Sequence, residues 1–73
     1  MHRFLVIIEK TRRNYSAYCP DLPGCVATGR TIEEVRQRII EAIHLHLQAL
    51  EAEGKKVPKS QFFVAESSFY LDN

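Results

Sequence analysis

The sequence predicts an α+β domain in which one long helix packs on a small sheet, and three observations carry that expectation. Phe4 to Ile8 is an unbroken apolar run rich in β-branched residues and bounded by charge, the pattern of a strand buried on both faces. Ile32 to Glu53 repeats apolar residues at helical spacing. Between these segments lies Pro20-Asp21-Leu22-Pro23-Gly24-Cys25, a proline-bracketed turn joining two β-like stretches.

The elements follow in order. Thr11-Arg12-Arg13-Asn14 is polar and turn-like, so Tyr15 to Cys19 returns as a second strand against the first. Pro20 and Pro23 stop regular structure because each fixes φ and lacks an N–H. Gly24 is free to take a positive φ in the turn. Cys25 to Thr28 is a brief third strand ending at Gly29. Thr31 and Glu34 have the spacing of a capping box, in which hydroxyl and carboxylate satisfy free amides at a helix start. Ile32, Val35, Ile39, Ala42, Ile43, His46, Leu47 and Leu50 then share one helix face. Gly54 ends the helix, Lys55-Lys56 suits the negative end of its dipole, and Pro58 prevents a restart. Gln61 to Leu71 reads as a last strand, weakest at Glu66-Ser67-Ser68.

The order is therefore β-β-β-α-β. A right-handed crossover is expected to place the fourth strand beside the first and parallel to it, giving sheet order 3-2-1-4. Phe4, Val6 and Ile8 alternate with Leu5 and Ile7 across the sheet. One helix covers one face, so the other is expected to be an exposed apolar patch. Such patches mark interfaces. A homo-oligomer, dimer or higher, is expected, with Leu5, Ile7, Tyr15, Phe63 and Phe69 as candidate contacts.

Composition bounds the function. With 73 residues the chain has room for one small domain, spanning 1–73. Ten basic residues against nine acidic ones leave a formal net charge of +1, which argues against a surface built wholly for nucleic acid. There is no apolar run long enough to span a bilayer and no cleavage site after the first strand. Cys19 and Cys25 flank the proline turn and are read as reduced thiols, so the expected compartment is the cytoplasm.

A search for chemistry finds little. The glycines at 24, 29 and 54 are scattered at element boundaries and form no phosphate loop. His44 and His46 are two apart on the helix and diverge by about 200°, so they do not chelate one metal. Glu33, Glu34 and Glu41 are spaced to pair with Arg36 and Arg38 on the helix surface. Asp21 is a turn residue, and Cys25 has no histidine placed to activate it. No catalytic residue, metal or cofactor is expected. Arg12, Arg13, Lys55 and Lys56, with Lys59 nearby, are the candidate basic patch.

Taken together, Tyr15, the Pro20–Cys25 run, Thr28-Gly29, Thr31-Ile32-Glu33-Glu34, Glu41-Ala42-Ile43 and Val57-Pro58 resemble the HicB-like antitoxin family. The resemblance implies a partial ribonuclease H-like fold and a binder with no enzymatic activity. It also implies a protein partner, a small HicA-like RNA-cleaving toxin whose active site the domain would cover. In that family's pattern the Pro20–Cys25 turn is structural. Many members continue into a DNA-binding module, and this chain is expected to have none at its C-terminus. Where the family tends to carry acidic or glycine residues before the tyrosine, Arg12, Arg13 and Asn14 stand here. Two other readings stay beside the antitoxin: a nucleic-acid-binding module using the basic patch, and a solitary domain turned to another protein-binding role. A residual metal-dependent nuclease rests on fold analogy alone.

Overall fold

The computed structural model describes residues 3–57 and 68–72. Its elements are β1 (Arg3–Lys10), β2 (Tyr15–Tyr18), β3 (Val26–Gly29), α1 (Ile32–Ala52) and β4 (Ser68–Asp72). The strands form one sheet in the order β3-β2-β1-β4. β1 is central, and Phe4 to Ile8 are all at most 4% exposed, which explains the unbroken apolar run.

Every strand pair is antiparallel. β4 runs against β1, with Phe4 opposite Leu71 and Val6 opposite Phe69, so the expected parallel fourth strand is corrected. The reason lies in the connection. Fifteen residues, 53 to 67, separate α1 from β4, and that length of chain reaches about 50 Å when extended. The helix itself is about 31 Å long. A tether that exceeds the helix lets the chain enter the sheet from either end, and handedness no longer dictates direction. Of the expected last strand, Ser68 to Leu71 lie in β4, while residues 61–67, Phe63 among them, fall outside the described residues.

The hairpin between β1 and β2 is closed by Thr11 and Asn14. The Thr11 N–H donates to the Asn14 carbonyl at 2.8 Å, and the Asn14 N–H donates to Thr11 Oγ1 at 3.1 Å. The proline run is two successive β-turns. The Leu22 N–H donates to the Cys19 carbonyl at 3.1 Å, and the Cys25 N–H to the Leu22 carbonyl at 3.0 Å. Each turn carries proline at its second position, where a missing N–H costs nothing. Gly24, at the third position of the second turn, has φ +82°, as a type II turn requires. Leu22, shared by both turns, is 1% exposed and pins the run to the core.

Thr31 caps α1. Its Oγ1 accepts the Glu34 N–H at 3.0 Å, but the Glu34 carboxylate reaches past the cap to the Arg30 N–H at 3.3 Å. At the other end the Gly54 N–H reaches the Glu51 carbonyl and the Lys55 N–H the Leu50 carbonyl, at 3.0 and 2.9 Å. With Gly54 at φ +71°, this is a Schellman closure. The buried stripe is Val35, Ile39, Ile43 and Leu47. It packs on Phe4, Val6, Ile8, Ala17, Cys19, Leu22 and Cys25. Ile32 is 41% exposed, so the stripe begins one turn later than its spacing suggests. His46 lies at the margin, half-buried, and His44 is exposed.

Candidate interaction surface

Leu5 and Ile7 are 0% and 4% exposed in a single chain. They lie outside the helix-side cluster, on the opposite face of β1. The expectation that they form an open apolar patch is therefore corrected: the chain itself covers them. Cover on that face comes from the same chain and not from the helix alone, so these two side chains give no ground for self-association. Tyr15 is half-buried against the helix-side cluster, with Lys10 Nζ 5.8 Å from its ring centre. Phe69 is placed by register opposite Val6.

The apolar surface left open is elsewhere. Val26 is 63% exposed on β3, and Leu45 is 66% exposed on the outer side of α1. Val26 stands opposite Tyr18 in the register, so the two share the sheet face away from the helix. The Tyr18 hydroxyl donates to Glu9 Oε1 at 3.4 Å. Desolvation, followed by the Glu9 charge and this hydrogen bond, raises the Tyr18 pKa.

β3 is an edge strand, and part of that edge is closed by a side chain. Arg38 Nη1 donates to the Thr28 carbonyl at 3.0 Å, while Arg38 Nη2 pairs with Glu34 Oε1 at 3.2 Å. Charged cover of this kind discourages unwanted strand pairing. Arg38 was legible in the sequence only as a helical ion-pair partner, because its reach to β3 is a tertiary fact. Val26 was missed for a similar reason: a four-residue strand does not reveal which of its faces is open.

The candidate basic patch is divided. Asn14 lines a groove of about 430 Å³ together with Thr28, Gly29, Arg30, Glu34 and Arg38. That groove places the Arg12-Arg13 turn at the N-terminal end of α1. Lys55 and Lys56 follow its C-terminal end, about 31 Å away for a helix of this length, and Lys55 pairs with Glu53 at 3.0 Å. One patch holding all four cations is therefore corrected to two separate groups.

The thiols face each other. Continuing the β2–β3 register puts Cys19 opposite Cys25, and the Cys19 N–H donates to the Cys25 carbonyl at 3.2 Å. Both are free and buried. Desolvation raises the Cys19 pKa to about 11, partly offset by a hydrogen bond from the Asp21 amide. Burial raises that of Cys25 as well. These are poor nucleophiles, since the thiolate is the reactive form. Among the described residues no three His, Cys, Asp or Glu side chains are grouped to hold a metal ion. No described helix is long and apolar enough to cross a membrane.

A four-stranded antiparallel sheet with one helix packed on it defines a small domain of the α+β class. Residues 4–68 match the HicB-like antitoxin of bacterial toxin–antitoxin systems. The chain belongs to that family. It is 42% identical over 72 residues to a UPF0150 protein of Synechocystis, an alignment covering 97% of this chain and 91% of that protein. Among solved structures it resembles a chain of the HicA3 and HicB3 toxin–antitoxin complex, with a TM-score of 0.64 and 32% identity. That match covers 77% of this chain and spans 65% of the other. The N-terminal domain of the Burkholderia pseudomallei antitoxin HicB shares the fold, with a TM-score of 0.71 and 22% identity over 94% of this chain and 92% of that one.

Proposed function

We propose that this domain is the antitoxin of a cytoplasmic toxin–antitoxin pair, binding a small HicA-like RNA-cleaving toxin and occluding its active site. The observation that carries the reading is the likeness, at 32% identity, to a chain from a complex of HicA3 with HicB3. Two unbridged cysteines suit a reducing compartment. The domain acts by steric cover and not by chemistry. On β1, Glu9 is the sole acidic residue and is engaged by the Tyr18 hydroxyl, and among the described residues no group of carboxylates is gathered as metal-dependent cleavage uses.

Leu5 and Ile7 are buried, so the contact lies on the open surface around Val26 and Tyr18 on the β3 side. An exposed apolar side chain beside a tyrosine is the kind of anchor that dominates interface energy. The test is co-expression with a HicA-type toxin encoded beside this chain, scored by growth and by co-purification. Wild-type protein is expected to restore growth and elute with the toxin. Val26→Asp is expected to weaken rescue while leaving the fold intact. Absence of both rescue and a complex for the wild-type chain would overturn the proposal.

A further inference from the structure

The hairpin-turn end of the sheet has no role in the antitoxin reading, yet it gathers cations. Tyr15 and Gly29 are the last paired residues of β2 and β3, so Asn14 and Arg30 leave the sheet side by side. Both line the groove of about 430 Å³ that ends against Glu34 and Arg38. Lys10, Arg12, Arg13 and Arg30 are all exposed there. Among the described residues Arg12, Arg13 and Arg30 form no ion pair. The one acid in the groove is committed, since Glu34 Oε1 accepts from the Arg30 amide and pairs with Arg38. The helix N-terminus is likewise occupied by its own cap, so the cations supply the attraction.

We propose that this end binds the phosphodiester backbone of a nucleic-acid strand, gripped by Arg12 and Arg13 of the β1–β2 turn and by Arg30 in the adjoining groove between β3 and the start of α1. Guanidinium groups match phosphate oxygens in a two-pronged geometry that ammonium groups do not. The groove is lined by polar and charged side chains without an apolar anchor, which fits a phosphate backbone better than a protein hot spot. Tyr15 is half-buried, so no ring is free there for base stacking and the contact is not sequence-selective. The site lies at the Gly29 end of β3, with Val26 at the other end of the strand.

The test is fluorescence anisotropy with short labelled single strands of RNA and of DNA, using the full chain without toxin. Three phosphate contacts predict a logarithmic salt slope near −2 for single strands, or about a 20-fold loss of affinity from about 50 to 200 mM salt. Arg12→Ala/Arg13→Ala and Arg30→Ala are expected to weaken binding and to flatten the slope. Lys55→Ala/Lys56→Ala, at the far end of the helix, is expected to leave both unchanged. All of these positions are exposed, and circular dichroism of each variant checks that it folds. Equal binding of both strands supports backbone recognition, and preference for one identifies the natural source. No binding of either strand at low salt overturns the proposal, as does a loss from the lysine pair equal to that from the arginine pair.

Discussion

Gly29 shows how one missing carbon sets the approach of two elements. A Cβ there would lie 2.7 Å from the Val35 nitrogen and 3.0 Å from its Cα. Both are backbone atoms of α1, so no side chain can swing aside. Gly29→Ala must push the helix start off the sheet and is expected to cost about 1–3 kcal/mol, as overpacking does. Gly24 poses the opposite problem: nothing lies within 4 Å of its added Cβ, but φ is +82°. Gly24→Ala is expected to cost about 1–2 kcal/mol from the left-handed backbone alone. Urea unfolding of the two variants, with a high-resolution structure of Gly29→Ala, separates a displaced helix from a strained turn. The thiols give a second prediction at this scale. Cys19 has a folded pKa raised to about 11 from an ordinary 9.0. Between those values the unfolded chain sheds the proton and the folded one keeps it, so stability present below pH 9 falls as pH rises. Unfolding midpoints measured across that range should decline, and Cys19→Ala should flatten the decline.

At the scale of the element, α1 was the most legible part of the chain and β4 the least. Thr31 and Gly54 act on amides and carbonyls within a few residues of themselves, so their chemistry can be read without the rest of the fold. The proline run was legible for the same reason, and hydrogen bonds only refined it into two linked turns. The direction of β4 was not, because a fifteen-residue tether removes the constraint that a short crossover imposes. The helical stripe tests how far periodicity carries. Ile39 is 0% exposed and Leu45 is 66% exposed, though both are branched aliphatic residues on one helix. Ile39→Ala is expected to cost about 2–5 kcal/mol by opening a cavity against the sheet. Leu45→Ala should stay within about 0.5 kcal/mol, as surface substitutions do. Parallel denaturation curves at equal m-value would check both, and equal losses at the two sites would contradict the packing described.

At the scale of the whole molecule, the outstanding difference between sequence and structure concerns the second sheet face. Alternation along Phe4–Ile8 correctly divided the strand into two faces, but pattern alone does not say whether the second is covered by a partner or by the same chain. Burial of Leu5 and Ile7 in one protomer decides for the same chain, and this has a thermodynamic signature. If a second protomer supplied the cover, truncating these side chains would weaken association, and the loss of stability would vary with protein concentration. With intrachain cover, Leu5→Ala and Ile7→Ala each remove core contacts of a single folding unit and cost about 2–5 kcal/mol. The difference from wild type should then be the same at low and high protein concentration. Urea unfolding of wild type and both variants at two widely separated concentrations makes the comparison. A mutational loss that grows on dilution would place these side chains at an interface after all. A constant loss would leave them in the core.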